Sequence, residues 1–360
     1  MNFVNSTRDE IGEIGYTGRM LLIGYKSLIS TSALIGDTLI LIGTLRYNAI
    51  RLHDILIIFI QNIAVADILL TVFSILPGVV SLAANRWILG PVLCRVSYFV
   101  NANCELVISL LISALAATKV LIVRFPLRAV HFSSRAACIS VGIMWTYSFV
   151  FPTVVIARDS NGTNFNYTVY NCMYVCNSTK CKAEGGSALF DVAVGLSVFT
   201  STAVTVVSSV ILIVLAKRVA DRRYGGLQWR GVLVVLLTAF FHLLIGIPFF
   251  IYFIVSFYYD QQHKVHPVYV RRMFRYAWSI SLVGAALNFY ILTITLGSFR
   301  DFLQSRSRTL ITLLTRCCTA SGDEELAKEG DDGLLEEEDD GLVEEGENGV
   351  EEEEHRNALN

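Results

Sequence analysis

Apolar residues fall along this chain in long blocks, and the polar residues gather between them. Seven apolar runs are long enough to cross a bilayer as helices: Leu21–Leu45, Ile55–Leu82, Val92–Val123, Ala136–Ile156, Ala188–Ala216, Gly231–Tyr258 and Phe274–Leu296. The third organises the rest. From Cys94 to Lys119 a helix covers roughly 37 Å, enough to span with some tilt. It holds Asn101, Asn103, Glu105, Ser109, Ser113 and Thr118 within its apolar frame. A helix facing lipid all round does not carry so many polar groups, so this one is expected at the centre of a bundle. Beyond the seventh run, Phe299–Arg308 reads as a short amphipathic helix on the inner membrane face. The pattern predicts an all-α membrane protein, a seven-transmembrane helix bundle with a short amphipathic eighth helix. Its expected division is an extracellular, glycosylated 1–20, a bundle over 21–303, a juxtamembrane 304–320 and a disordered acidic tail over 321–360.

The loops give the orientation. With the N-terminus outside, the inner loops hold Arg46 and Arg51, then Arg124, Arg128 and Arg135, then Lys217, Arg218, Arg222, Arg223 and Arg230. That follows the positive-inside bias. Lys264, Arg271, Arg272 and Arg275, after the sixth run, break it. An independent test agrees: the four glycosylation sequons, at Asn5, Asn161, Asn166 and Asn177, all fall on segments this topology places outside. No charged-then-apolar start with a small-residue cleavage site is evident, so no signal peptide is expected.

Composition adds class and partners. The chain is 54% hydrophobic and 17% charged, with a mean hydropathy of +0.55, which excludes an ordinary soluble domain. Residues 1–320 carry 27 basic and 13 acidic residues, a net +14, whereas 321–360 carry 2 and 18, a net −16. Basic residues scattered among spans point to cytoplasmic loops and anionic membrane lipid, not to nucleic acid. Of eight cysteines, Cys94, Cys172, Cys176 and Cys181 lie outside, enough for two disulfides. Cys104 and Cys138 read as packed thiols. Cys317 and Cys318, just past the basic amphipathic stretch, form a palmitoylation candidate, with unmodified surface cysteines as the alternative. Nothing has the pattern of a metal cluster, nucleophile elbow or phosphate loop, so no enzyme and no cofactor beyond an ion are expected.

The residues resemble the rhodopsin-like (class A) G-protein-coupled receptors over roughly Leu21 to Leu303. Asn62-Ile63-Ala64-Val65-Ala66-Asp67 stands for the family's second-span motif, and Trp87, Gly90 and Cys94 for its first outer loop. Pro126-Leu127, Trp145, Pro248, Asn288 and Phe299 follow in order and spacing. The departures are as informative. Thr118-Lys119-Val120 replaces Asp/Glu-Arg-Tyr, Ile245-Gly246-Ile247-Pro248 replaces Cys-Trp-x-Pro, and Asn288-Phe289-Tyr290-Ile291-Leu292 replaces Asn-Pro-x-x-Tyr. Gly36-Asp37 replaces Gly-Asn, and span five lacks its usual proline.

The resemblance implies an extracellular ligand, a heterotrimeric G protein and arrestin as partners, and a multi-pass plasma-membrane location. It makes Asp67 a sodium-site aspartate, with Asn288 and Asp37 beside it. Two carboxylates in one buried pocket cannot both stay charged cheaply, so either a cation sits between them or one is protonated. Asn101, Glu105 and Gly246 are the expected ligand contacts. Asn101 replaces the aspartate of amine receptors, and span seven has no lysine for a retinal Schiff base, so both ligand classes are disfavoured. Lys119 and Pro126 are the expected G-protein contacts, and Cys94 is expected to pair with Cys172, Cys176 or Cys181. With no Ser or Thr after Ser321, the acidic tail is expected to offer fixed carboxylates to a basic partner, either arrestin or the chain's own inner loops. The altered switch motifs leave two rivals: a non-coupling seven-helix scaffold or heterodimer partner, and a transporter built on Asp37, Asp67 and Glu105.

Overall fold

The computed structural model describes residues 16–46, 54–125, 134–158, 163–166, 171–174, 186–220, 226–261 and 268–308. The chain divides into two units, Met1–Gln304 and Ser305–Asn360. The first holds the bundle; of the second only Ser305–Arg308 is described.

Each apolar run is helical, the second and seventh with an interruption, and most helices outrun the apolar stretch. α1 is Tyr16–Leu45, α3 Gly90–Arg124, α4 Ser134–Arg158, α5 Gly186–Ala220 and α6 Gly226–Gln261. Hydropathy reports the thickness of the hydrocarbon layer, whereas backbone hydrogen bonding continues into the polar flanks. Thus α1 starts five residues before Leu21, and α6 five before Gly231. Five of the described helices are long and apolar enough to span a membrane by themselves: Tyr16–Leu45, Ile55–Ala84, Gly90–Arg124, Trp229–Tyr252 and Tyr276–Thr295.

Two rods are irregular. α2 runs Asp54–Leu70, makes a π-helical turn over Thr71–Ile75, and continues as Leu76–Ala84. In the turn the Leu76 N–H reaches back five residues to the Thr71 carbonyl. Pro77 follows immediately; a proline inside a helix lacks the N–H and crowds the preceding turn, and the wider π turn accommodates it. α7 is also not the single helix over Phe274–Leu296 that hydropathy predicts. It comprises Val268–Ser281 and Gly284–Thr295, separated by a turn at Leu282-Val283. A further helix, α8, covers 297–308.

α3 is central, as its polar content predicts. It packs against α2, α4, α5 and α6, and against a hairpin of β1 (Thr163–Asn166) and β2 (Asn171–Tyr174). The strands are antiparallel, with Thr163 opposite Tyr174 and Phe165 opposite Cys172. α3 buries Ser97, Asn101, Asn103, Ser109, Ser113 and Lys119 beside Val107, Leu111 and Leu115. Without a strong hydrophobic drive between helices in lipid, side-chain hydrogen bonds and close packing hold such a bundle, each bond contributing about 0.6 kcal/mol. Ser109 Oγ meets Ser201 Oγ of α5 at 2.7 Å, and Tyr147 OH of α4 meets Ser197 Oγ at 2.6 Å. Tyr25 OH donates to the Ser279 carbonyl at 2.7 Å, and Ser32 Oγ meets Tyr290 OH at 2.8 Å, both joining α1 to α7.

The outer corner between α2 and α3 is fixed by backbone chemistry. Asn85 ends α2 in the left-handed region at φ 53°, a conformation asparagine tolerates. Gly90 opens α3 at φ +79°, which requires glycine. The Trp87 indole Nε1–H donates to the Gly90 carbonyl at 2.6 Å, pinning the loop.

Candidate functional site

The polar centre of the bundle lies where α1, α2, α3 and α7 approach one another. The Asn288 amide of α7 donates to Asp67 Oδ2 of α2 at 2.9 Å. Asp67 is 2% exposed and Asp37 fully buried. Neither Asp37 oxygen has a hydrogen-bond partner among the described residues, although Asp37 and Asp67 lie within electrostatic reach of each other. Glu105 of α3 also acts on Asp67 through space. About one and a half turns inward, Asn62 accepts at 3.1 Å from the Trp145 indole of α4 and donates to the Ile58 carbonyl at 2.8 Å, locking α2 onto α4.

Close packing brings α1 to this centre. Gly36 faces α7 so tightly that a Cβ there would stand 2.5 Å from Phe289 Cβ and 2.7 Å from its Cγ. Phe289 lies edge-on to Phe299 of α8, ring centroids 6.1 Å apart, and Phe299 stacks on Phe302 at 6.0 Å. Phe299 is completely buried, while Arg300 and Asp301 are exposed. The amphipathic pattern of α8 is therefore realised in packing.

The expected ligand contacts separate. Asn101 is buried, and its Oδ1 accepts from Ser74 Oγ of the π turn at 3.0 Å, so a neighbouring helix already uses it. Glu105, one turn deeper, is half-buried and hydrogen-bonds to no described residue. Gly246 is exposed, and a Cβ there would meet nothing within 4 Å, so the bulk the family carries is replaced by open space. At the inner end of α3, Lys119 is 4% exposed and forms no ion pair with a described residue.

Cys94 is buried and disulfide-bonded. Cys104 is a buried free thiol, as expected. Cys138 corrects the packed-thiol reading: it is exposed on α4, because the buried stripe there runs through Ala137 and Val141. Cys172 and Asn166 lie on described strands, but their side chains are outside the described set. Pro126, Cys176, Cys181, Asn5, Asn161, Asn177, Cys317, Cys318 and the acidic tail also fall outside the described residues.

Sequence reading misses Lys26 and Ser74. Lys26 is 2% exposed in the outer half of α1, and a lysine inside an apolar run was the available signal. Ser74 had none, because its partnership with Asn101 depends on the π turn.

Comparison with known proteins now fixes the class. The family model described as 7 transmembrane receptor (rhodopsin family) matches residues 36–291, a stretch containing Asp37, Asp67, Glu105, Lys119 and Asn288. The chain belongs to the rhodopsin family of seven-transmembrane receptors, multi-pass membrane proteins that are not enzymes. It is 30% identical over 151 residues to parapinopsin of Ictalurus punctatus, covering 42% of each chain. It is also 30% identical over 141 residues to somatostatin receptor type 5 of Bos taurus, covering 38% of this chain and 37% of that one. Each match spans less than half of the relative's length.

Proposed function

We propose that this chain is a plasma-membrane receptor that carries an extracellular ligand signal to a heterotrimeric G protein. The observation that supports it most is the Asn288–Asp67 hydrogen bond, which joins α7 to α2 at the bundle's polar centre. A ligand biases such a bundle only through contacts that differ between two helical arrangements. Glu105 is the side chain that can supply one on the outer side, since its carboxylate has no described partner to give up. On the inner side, Lys119 is buried and reaches a G protein only when the cytoplasmic ends of the helices part.

A sodium ion fits the same centre. The orphaned Asp37 oxygens, Asp67 and the Asn288 carbonyl form an all-oxygen donor set suited to a hard cation. Exchanging sodium for a bulky organic cation then lowers the thermal stability of the purified receptor, and Asp67→Asn abolishes the difference. A stability indifferent to the cation would show that no ion is held.

The test of coupling is nucleotide exchange on purified G proteins by the reconstituted receptor. Thr118 offers Lys119 no counter-ion, so no ionic lock holds the inner end of α3 and basal exchange is expected to be high. Thr118→Asp with Lys119→Arg restores the acid and the planar guanidinium, and is expected to lower basal exchange. If parent and double variant both match receptor-free vesicles, the chain is a non-coupling scaffold, the reading that the unpaired Lys119 favours. Signalling against pooled peptides and lipids would then identify the ligand class.

Cys172 is the proposed partner of Cys94, because β2, which carries it, packs against α3. Cys94→Ser is expected to remove about 2–4 kcal/mol of stability and most surface expression. Peptide mapping without reduction that recovers Cys94 joined to Cys176 or Cys181 would overturn the pairing.

A further inference from the structure

We infer that the outer end of the bundle binds an organic monocarboxylate with an apolar body, its carboxylate held by Lys26 where α1 meets α7. The inference names the ligand class of the receptor proposed above and rests on that reading. Lys26 is 2% exposed, and Ser30, Ala33 and Asp37 follow it inward down the buried face of α1. The Tyr25 hydroxyl donates to the Ser279 carbonyl at 2.7 Å. That bond sets Lys26, the residue after Tyr25, level with Trp278, the residue before Ser279 and itself buried. Two turns outward on the same face of α1 stands Arg19, whose Nε is shielded from solvent and hydrogen-bonds to no described residue. On α7, positions 275 and 271 lie one and two turns outward from Trp278, at the spacing of the face that buries it. Both hold arginine.

The charges are layered. Residues 16–36, 68–84, 90–104 and 268–287, the outer parts of α1, α2, α3 and α7, carry six basic residues and no acidic one. Asp37, Asp67 and Glu105 all lie deeper in these helices. The outer acids of the described helices belong elsewhere, Asp191 near the start of α5 and Asp260 near the end of α6. An anion approaching α1 and α7 is therefore drawn in, and a cation is repelled before it reaches the acids beneath. A lysine buried in a membrane bundle is costly and is a functional candidate by default. Its ammonium has three donors, so it takes a carboxylate beside whatever the protein itself supplies. One ammonium balances one negative charge, which fits a carboxylate better than a phosphomonoester with about −1.5 to −2. Ile29, Leu82, Ala277 and Trp278, buried in the same outer segments, suit an apolar body for the rest of the ligand.

The test uses the full-length receptor in phosphatidylcholine nanodiscs, with the shift in unfolding midpoint against probe concentration as the measure of binding. The probes are octanoate, phenylbutyrate and oleate, each beside its matching primary alcohol and primary amine, and octyl phosphate. At least one acid is expected to raise the midpoint where its alcohol and amine do not. Lys26→Met should weaken that acid about tenfold or more, and Lys26→Arg, which keeps the charge, should restore part of the loss. Arg135→Gln, exposed at the inner end of α4, should leave binding unchanged. If every acid matches its alcohol, or Lys26→Met binds as well as the parent, the proposal is overturned. A larger shift from octyl phosphate than from octanoate would overturn the carboxylate assignment. Lys26→Met removes a buried charge and is expected to fold, which its midpoint in probe-free discs verifies. Binding without any change in nucleotide exchange would count against coupling and leave the carboxylate site standing; exchange driven only by uncharged probes would do the reverse.

Discussion

Asp37→Asn makes this receptor more stable. The carboxyl group is fully buried, neither oxygen has a described hydrogen-bond partner, and Asp67 lies within electrostatic reach. An ionised carboxylate in that position has no described donor to solvate it, and it also opposes the charge on Asp67. Asparagine has the same shape, carries no charge, and offers an N–H₂ where the site has a surplus of acceptors. Relief of an unsatisfied buried group is expected to contribute about 1–3 kcal/mol, which for a bundle of this size raises the unfolding midpoint by several degrees. The measurement is thermal unfolding of detergent-solubilised protein in sodium-free buffer. A lower midpoint for the variant would mean that the Asp37 carboxylate is compensated by a bound cation.

Gly36→Ala has the opposite and larger effect. Its new Cβ would stand 2.5 Å from Phe289 Cβ, beside the α7 backbone, where no side-chain rotation relieves the overlap. Phe289 cannot swing aside freely, because Phe299 holds its other edge and is itself completely buried. Either α1 or α7 must therefore move, and overpacking of this kind costs about 1–3 kcal/mol or more. That displacement would also pull Asp37, the next residue, away from the polar centre. Surface immunostaining is expected to show most of the variant retained inside the cell. Phe289→Ala in the same chain should restore only part of the loss, because it removes Cγ and the ring carbon that the new Cβ meets but keeps the Cβ that stands 2.5 Å away. Normal expression of Gly36→Ala alone would contradict the contact.

What the sequence discloses of this site depends on how far each relationship reaches. Asp67 and Asn288 can be found because each sits at a fixed place in its own apolar run, and two regular helices bring them together. Lys119 without an acid is legible for the same reason, since Thr118 is its neighbour in the chain. The Gly36–Phe289 contact is not legible. Both replacements can be seen, but only the packing of α1 on α7 shows that a bulky ring stands where glycine leaves room. The break in α7 at Leu282-Val283 is equally hidden, because no proline marks it and hydropathy does not dip. Cys138 shows a further limit: in lipid, an apolar residue is as comfortable outside the bundle as inside, so apolar character alone does not choose its face.

The π turn in α2 also governs how this receptor can be compared with its relatives. One extra residue is accommodated between Asp67 and Pro77, and each residue of an α-helix turns by about 100°. Counting outward from Asp67 against a relative without that insertion therefore pairs every later position with the wrong neighbour, about a quarter-turn round the axis. Ser74, Pro77 and Ser81 all point into the bundle, but an ungapped alignment would match them to residues on another face. Any attempt to transfer ligand-contacting positions onto the outer half of α2 must open a one-residue gap at Thr71–Ile75 first.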